Sequence, residues 1–501
     1  MLTKLFIHIH RILGLILCIL CFSWFISGIV MIYHSFPRVS QEDRFTRAEI
    51  LDTNGLPAIQ DVLLRLPAKT PTRGLSLNNP YGDPIFSIGG GRQSVELYAD
   101  TNVVAPVINY ALCENRAARW CADRKITRVD TLYALDQWIP LAHYKREFPI
   151  YKFYFDGPEK YQLYVSSRTA NILQFTDSDN RFWAWFGAIP HWVYFTWLRQ
   201  DATLWSKTVI WLSGIGCLMV IAGIWVTVDV WRRTRKSHRQ GFSPYRKKWY
   251  HWHYLSGIFF GIFVLTFTFS GMMSVADIPE WIHKPALKSS PLRTLQAKAP
   301  QPEDYTLDYR TVITSFPEVR QIEWSNFRKH PYYTVKDGKG EQYIDATDSV
   351  PHTLQLQEKE IREGVESVYA ADSIPAHQRP ELHMTLLNHF ETYYRDMSSM
   401  YRGRSQLPVW KITVDDSDRS VFYIHPETGI IRYVNTSSRW KYWSYTAMHR
   451  MRLPGLNSNT TLRKTVLWIL LLGGTVTSVT GIVLSINYVR RKCRKKQKRL
   501  L

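Results

Sequence analysis

Cysteine is scarce in this sequence, with six residues in a chain of 501. The Cys-x-x-Cys spacing from Cys18 to Cys21 lies inside an apolar run and is followed by Phe22. The Cys-x-x-Cys-His sequence that attaches a cofactor covalently is therefore absent, and both residues are predicted to pack as apolar side chains. Cys113 and Cys121 share a polar segment in which a disulfide is one open alternative.

Acidic residues are missing from two strongly basic stretches. The chain carries 63 Lys and Arg against 42 Asp and Glu, a formal net charge of +21. The stretches 232–248 and 490–501 contain no acid, and each directly follows an apolar run. Short basic segments beside a membrane indicate its cytoplasmic side, so no nucleic-acid partner is predicted.

Long apolar runs occur at four places. Each is long enough to cross a bilayer at about 1.5 Å per residue. No small-x-small cleavage site follows the first run, which is therefore predicted to be retained rather than removed as a signal peptide. We expect a multi-pass protein of the bacterial inner membrane, with the lipid bilayer as a partner and both termini in the cytoplasm. The predicted spans are 1–34, 205–231, 249–276 and 463–489.

Two large polar regions, 35–180 and 277–438, separate the spans and are expected in the periplasm. Each opens on a helical pattern and continues in short alternating stretches, which is typical of α+β modules. Aromatic residues crowd the two segments that follow, as in helices at a membrane interface. These predicted interfacial segments are 181–204 and 439–462.

The sequence is an internal duplication. Its landmarks recur at a constant displacement: His10, Gly14 and Gly28 become His253, Gly257 and Gly271. A helix turns by about 100° per residue, which brings each histidine and its two glycines onto one stripe. Such a stripe can approach a flat group closely, and imidazole offers nitrogen to a metal. The stripe therefore predicts a haem-binding helix.

A second pair of histidines also recurs. His191 and His449 close the matching series Arg181, Trp185, His191 and Arg439, Trp443, His449. A pseudo-twofold arrangement brings His10 opposite His253, and His191 opposite His449. The prediction is two b-type haems with two imidazole ligands each, one near either face of the membrane.

Other histidines are assigned different roles. His8 and His251 recur as well, but they point about 200° away from the ligand face of their helices. They are predicted to contact haem propionates, as is Arg11. His383 and His389 are predicted to lie on a solvated external helix.

These features resemble the PepSY-associated transmembrane family, which is described as iron-regulated inner-membrane proteins and includes haem-containing ferric-siderophore reductases. The resemblance implies four transmembrane helices in two pseudo-symmetric repeats, with two periplasmic PepSY-like regions. One departure is that the common Gly-Leu-His reads Ala447, Met448, His449 here. The segments that carry the resemblance are His10 to Gly14 with Ser27-Gly28, Trp249 to His253 with Ser270-Gly271, Tyr423 to Gly429, and Arg439 to His449.

The resemblance implies an inner-membrane b-type haem oxidoreductase that passes electrons to a periplasmic acceptor, such as ferric iron held in a siderophore. No nicotinamide or flavin fingerprint occurs in the short cytoplasmic segments, so quinol or a separate cytoplasmic or membrane protein is expected as donor. The alternative is a non-enzymatic, membrane-anchored PepSY protein that binds and regulates a periplasmic protease or sensor. In that case the histidines merely pack helices. No catalytic residue is predicted.

Overall fold

The computed structural model describes residues 2–66, 74–89, 95–100, 107–236, 243–296, 304–338, 340–395 and 405–500. Residues 237–242 of the predicted basic loop lie outside the described residues. The chain divides into two units, which we call the membrane unit and the second unit. The membrane unit comprises Met1–Arg38, Cys121–Ile278 and Trp440–Leu501, and the second unit comprises Val39–Trp120 and Pro279–Arg439.

Helices are numbered in chain order. They are α1 (Leu2–Val30), α2 (Gln41–Arg47), α3 (Ile59–Leu64), α4 (Tyr110–Trp120), α5 (Ser178–Phe186), α6 (Ala188–Trp192), α7 (Thr196–Arg199), α8 (Ala202–Lys236), α9 (Lys248–Val275), α10 (Pro291–Gln296), α11 (Tyr309–Ser315), α12 (Glu358–Ala371), α13 (Thr436–Lys441), α14 (Met448–Arg450) and α15 (Thr460–Leu500).

Strands are numbered in the same way. They are β1 (Ser76–Asn78), β2 (Ile85–Ile88), β3 (Val95–Tyr98), β4 (Ile126–Leu132), β5 (Ile150–Phe155), β6 (Gln162–Ser166), β7 (Ile172–Thr176), β8 (Gln321–Phe327), β9 (His330–Asp337), β10 (Gly340–Asp345), β11 (Leu382–Leu387), β12 (Val409–Val414), β13 (Val421–Ile424) and β14 (Ile431–Val434).

Four helices of the membrane unit, α1, α8, α9 and α15, are long and apolar enough to cross a membrane, which confirms the four predicted spans. The first span, α1, packs against both α8 and α15, and α9 packs against the same two helices. The first and third spans therefore lie diagonally across a four-helix bundle. Large apolar side chains fill its core, among them Leu17, Phe25, Met219, Val264 and Leu471.

The membrane unit also contains an antiparallel sheet in the order β4-β5-β6-β7. Short helices pack on this sheet through a core that includes Ile139, Ile150, Tyr164, Ala184 and Ile189. The single interfacial helix predicted at 181–204 is instead broken into α5, α6 and α7. One break follows α6, because its C-cap residue adopts the left-handed conformation, with φ of 54°.

The second unit contains a six-stranded antiparallel sheet in the order β10-β9-β8-β1-β2-β3. Its central pairing joins the two halves of the chain, because Leu77 on β1 faces Ile322 on β8. Strand β1 has three residues, and pairing on both sides satisfies backbone groups that an edge would leave open. The sequence predicted 35–180 and 277–438 as two separate regions. It did not predict the sheet that they share.

A second sheet of this unit has the order β11-β12-β13-β14, and α12 packs against it. The helix predicted around His383 and His389 is wrong, because His383 lies on strand β11. Leu382 and Met384 pack against the core, whereas His383 between them is exposed. Alternation with a period of two is the pattern of a strand with one buried face.

The two four-stranded sheets contain matching polar sets. In the membrane unit, Asp136 accepts hydrogen bonds from Lys152 at 3.0 Å and from Tyr164 at 2.7 Å. In the second unit, Glu391 accepts from Lys411 at 3.0 Å and also from Tyr423. The duplication thus repeats an acid, a lysine and a tyrosine that tie each sheet to the loop between its first two strands.

In the second unit, His330 on β9 lies between two carboxylates. Its Nε2 donates to Asp345 at 2.6 Å, and its Nδ1 donates to Glu360 at 3.0 Å. Burial is the largest effect and opposes the charge, but the two hydrogen bonds outweigh it and raise the pKa of His330. Hydrogen bonds from His330 and Thr347 likewise outweigh burial and lower the pKa of Asp345 to about 2.

We expect His330→Gln to lower the free energy of unfolding by about 2 kcal/mol at about pH 6. Because the folded-state pKa of His330 lies above its ordinary value of about 6.5, this stabilisation is complete below that value and is lost as the pH rises through the folded-state pKa. Melting temperatures measured from about pH 6 to pH 9 should differ most at the acidic end. The exposed His352 offers a control, His352→Gln. A gap that widens as the pH rises would contradict the assignment.

Candidate functional site

Two histidines face each other near the start of the first and third spans. His10 on α1 and His253 on α9 have ring centroids 6.0 Å apart, with 34° between the ring planes. The Nδ1 of His10 lies 2.9 Å from the carbonyl oxygen of Met219 on α8. A carbonyl oxygen only accepts, so Nδ1 carries the proton and Nε2 keeps its lone pair. We call this couple the inner pair.

The second member of the inner pair has the same tautomer. The Nδ1 of His253 lies 3.0 Å from Oγ1 of Thr480 on α15. That hydroxyl donates its own proton to the carbonyl oxygen of Val476 at 2.9 Å. Its oxygen must therefore accept from His253, which leaves Nε2 of His253 with the lone pair.

A second couple, the outer pair, lies at the other end of the bundle. His191 on α6 and His449 on α14 have ring centroids 5.8 Å apart, with 56° between the ring planes. Their Nδ1 atoms each lie 3.1 Å from a serine hydroxyl, that of Ser27 on α1 and that of Ser270 on α9. Each serine donates to a backbone carbonyl at 3.2 Å and so accepts from the imidazole. All four Nε2 atoms are therefore free of a proton.

Both imidazoles of the outer pair are neutral at neutral pH. Burial lowers the pKa of His191 to about 4. Burial, assisted by the neighbouring His191 and Arg450, lowers the pKa of His449 to about 3. Neutral imidazole is the form that binds metals, because the ligand nitrogen must carry a lone pair.

The spacing within both pairs suits a single metal between two imidazoles. An imidazole nitrogen lies about 2 Å from a metal that it binds, so two imidazoles on opposite sides of one metal have ring centres about 6 Å apart. The observed separations are 6.0 Å and 5.8 Å. Each of the four histidine residues is half-buried.

A cavity of about 640 Å³ surrounds the inner pair. This volume lies within the range of about 300 to 1,000 Å³ that is usual for cofactor and ligand sites. All four spans line it. Gly14 and Gly257 are in its wall, and a Cβ added at Gly14 would meet no atom within 4 Å. These two glycines lie in the cavity wall beside the histidines.

Basic side chains line one end of this cavity. Arg11, Arg491 and Lys492 belong to its wall. Arg491 donates to the hydroxyl of Tyr250 at 3.2 Å, and the guanidinium of Arg11 lies 4.9 Å above the ring of Tyr488. Three positive charges at the cavity wall favour an anionic group in a bound ligand. The sequence singled out Arg11 but missed Arg491 and Lys492.

The other predicted contacts lie elsewhere. His8 is exposed and accepts a hydrogen bond from Arg11 at 3.1 Å. The ring of His251 lies against Trp252, with centroids 5.7 Å apart. Neither histidine is among the described residues that line the cavity. Their predicted contact with a propionate therefore has no support from the cavity, whereas that of Arg11 does.

The second glycine of each predicted stripe has a different role from the one expected. A Cβ added at Gly28 would lie 3.5 Å from Cε1 of His191, and one added at Gly271 would lie 3.5 Å from Cε1 of His449. These glycines border the imidazoles of the outer pair, and an added Cβ would be in ordinary van der Waals contact with the ring. The serine that precedes each glycine holds the same imidazole by its hydroxyl. The Ser-Gly sequence is thus a docking point for histidine.

Glycines of the second and fourth spans border the imidazoles of the inner pair, and one of them, Gly223, leaves room for the ring of His10 that a side chain would fill. A Cβ added at Gly223 would lie 2.6 Å from Cε1 of His10, and one at Gly481 would lie 3.5 Å from Cε1 of His253. Neither glycine was predicted from the sequence, and neither were the acceptors Met219 and Thr480. Glycines inside otherwise apolar spans could have indicated these positions, but only the folded bundle shows which histidine each glycine borders.

The two pairs lie close to opposite faces of the membrane. His10 and Gly28, which contacts the outer pair, are 18 positions apart on one helix, or about 27 Å at about 1.5 Å per residue. The hydrocarbon core of a bilayer is about 30 Å thick. The two histidine pairs therefore lie near opposite ends of one bundle.

These features define a class: a multi-pass membrane protein with four spans, antiparallel sheets and two facing histidine pairs assembled from a duplicated chain. The chain belongs to the PepSY-associated TM region family, which matches residues 7–306. The predicted family is thereby confirmed. The matched range contains three of the four paired histidines and ends before His449. The comparison with curated proteins gives no match.

We expect Gly223→Ala to destabilise the bundle. Alanine favours a helix over glycine by up to about 1 kcal/mol, but overpacking against His10 costs about 1 to 3 kcal/mol. The melting temperature in detergent should therefore fall. Gly214→Ala on the same helix is the matched control, because its Cβ would lie 3.8 Å from Sδ of Met272, an ordinary contact, and it should melt at or above the wild-type temperature. Equal melting of the two variants would contradict the packing against His10.

Proposed function

We propose that this protein is a b-type haem oxidoreductase of the bacterial inner membrane that passes electrons to a periplasmic acceptor, ferric iron held in a siderophore. The observation that carries the proposal is the arrangement of four imidazoles as two facing pairs, each at the spacing of two ligands on one metal. All four have Nδ1 hydrogen-bonded and Nε2 free. A packing role alone does not require a common tautomer.

The residues of the inner pair fit haem b. His10 and His253 would hold the haem iron, the cavity would accommodate the haem, and Arg11, Arg491 and Lys492 would neutralise its propionates. Haem iron supplies one-electron chemistry, because it alternates between the ferric and ferrous states. His191 and His449 would ligate a second haem, with Ser27 and Ser270 as their hydrogen-bond acceptors.

The hydrogen bonds at Nδ1 support a redox role. A ligand imidazole that donates from its other nitrogen is fixed in orientation and is a stronger base, and such partners tune the potential of the metal. Met219 and Thr480 have this function at the inner pair. Hydrogen-bond acceptors on neighbouring helices would therefore hold each ligand imidazole in a fixed orientation.

Two sites at opposite faces support transfer across the membrane. The basic stretches 232–248 and 490–501 support an orientation with the inner pair and both termini on the cytoplasmic side and the outer pair on the periplasmic side. Electrons would enter from quinol or from a separate cytoplasmic or membrane protein. Reduction suits the release of iron, because hard oxygen chelators hold Fe(II) less strongly than Fe(III). The siderophore as acceptor rests on the family resemblance.

Single histidine variants test the proposal. Purified wild-type protein should show the sharp Soret and α-bands of bis-histidine haem, and His10→Ala and His253→Ala should remove the same spectral component. The double variant should lose no more than either single one, because two ligands of one metal act as a unit. His191→Ala and His449→Ala should remove the other component.

Controls for this test are His8→Ala and His251→Ala, which should retain both components. Losses that instead pair His10 with His191 would mean that each repeat holds its own haem. A colourless wild-type protein with correct folding would contradict the haem proposal. It would favour the non-enzymatic alternative, in which the protein binds and regulates a periplasmic protease or sensor.

Reporter fusions test the orientation separately. Alkaline phosphatase fused after Ser40 or Ser289 should be active, because it would fold in the periplasm, and the same enzyme fused after Lys247 should be inactive. The opposite pattern would place the inner pair on the periplasmic side and reverse the proposed direction of electron flow.

A further inference from the structure

We propose that Glu381, His383 and Asp415 form a binding site for a divalent transition-metal ion on the second unit. Each residue offers one ligand atom, and these atoms all lie within 4.8 Å of one another. Among the residues that the structure describes, this is the group in which three histidine, cysteine or carboxylate ligands meet in this way. The site shares no residue with either histidine pair.

The strand pairing explains why the three side chains converge. Leu382 on β11 faces Val414 on β12 in an antiparallel register, so the next positions, Glu381 and Asp415, also lie opposite each other. The backbone N–H of Asp415 donates to the carbonyl oxygen of Glu381 at 3.2 Å. His383 lies two residues along the strand from Glu381 and so points to the same face.

The ligand set selects a class of ion. Two carboxylates and a neutral imidazole carry two negative charges, which balance a divalent cation. Imidazole suits Zn²⁺, Fe²⁺, Ni²⁺ and Cu²⁺, whereas Mg²⁺ and Ca²⁺ prefer sites made entirely of oxygen ligands. The site therefore favours a transition metal over the abundant hard cations.

The exposure of the site indicates an exchangeable ion. The side chains of His383 and Asp415 are 53% and 68% exposed, and β11 is an edge strand of its sheet. Three protein ligands leave at least one coordination position to water or to an incoming ligand. Closed structural zinc sites, in contrast, use four protein ligands. The strand pairing forms the site without help from the ion.

The chain provides a matched comparison. His352 and Asp348 also form an exposed ion pair, with Nε2 and Oδ2 3.1 Å apart and exposures of 44% and 70%. No third ligand from the described residues completes that pair as a three-ligand group. It therefore reproduces the exposed histidine–carboxylate pair of the proposed site without the third ligand.

Zinc binding by the full chain tests the inference. Chelator-treated protein in detergent is dialysed at neutral pH against Zn²⁺ in a large excess of Mg²⁺, and bound zinc is measured by elemental analysis. We expect His383→Ala to lower bound zinc by about one ion per chain. Asp415→Asn keeps one oxygen ligand but removes a charge, and should weaken binding about tenfold. Glu381→Gln should weaken binding about tenfold, since it keeps one oxygen ligand but removes a charge. His352→Ala should bind as the wild type does.

Two outcomes would overturn the inference. The first is equal zinc binding by wild type, His383→Ala and Asp415→Asn. The second is displacement of the zinc by Mg²⁺, which would mean that the carboxylates act alone as a diffuse negative patch. Haem content and melting temperature should be unchanged in all these variants, so failure of the haem proposal and failure of this one are distinguishable.

Discussion

The hydrogen bond from imidazole Nδ1 to an oxygen of a neighbouring helix is the interaction on which the membrane unit depends. It occurs four times, to Met219, Thr480, Ser27 and Ser270. Each bond satisfies a polar group inside an apolar bundle and orients the imidazole. A glycine lies next to each acceptor or one turn along from it, and at Gly223 a side chain would collide with the ring of His10.

Because the chain is duplicated, each histidine of one half has a counterpart in the other half with which it can pair. Each pair takes one histidine from each half, so neither half contains a complete site. The second unit follows the same rule, since strand β1 from the first half and strand β8 from the second lie side by side in one six-stranded sheet. The two halves of the chain therefore pack together in the membrane unit and again in the second unit. A chain cut between the repeats would lose both sites and the centre of that sheet.

The two pairs differ in how their histidines are carried. Those of the inner pair lie within long spans and face a cavity with basic residues in its wall. Those of the outer pair lie on α6 and α14, which are short and end at the left-handed residues Val193 and Met451. A β-branched residue such as valine adopts this conformation only when the surrounding structure holds it there. The positions of His191 and His449 are thus set by turns rather than by long helices.

Sequence alone was sufficient for the features that arise from local periodicity and from repetition. These include the four spans, most of the short strands, the family and the four histidines that meet as pairs. Tertiary structure alone decided the hydrogen-bond acceptors, the glycines that face each ring, the basic residues from the end of α15 and the shared sheet. It also overturned the predicted helix at His383 and brought that residue to Glu381 and Asp415. The physical reason is that hydrophobic periodicity reports which face of an element is buried. It carries no information about which distant oxygen or glycine that face will meet.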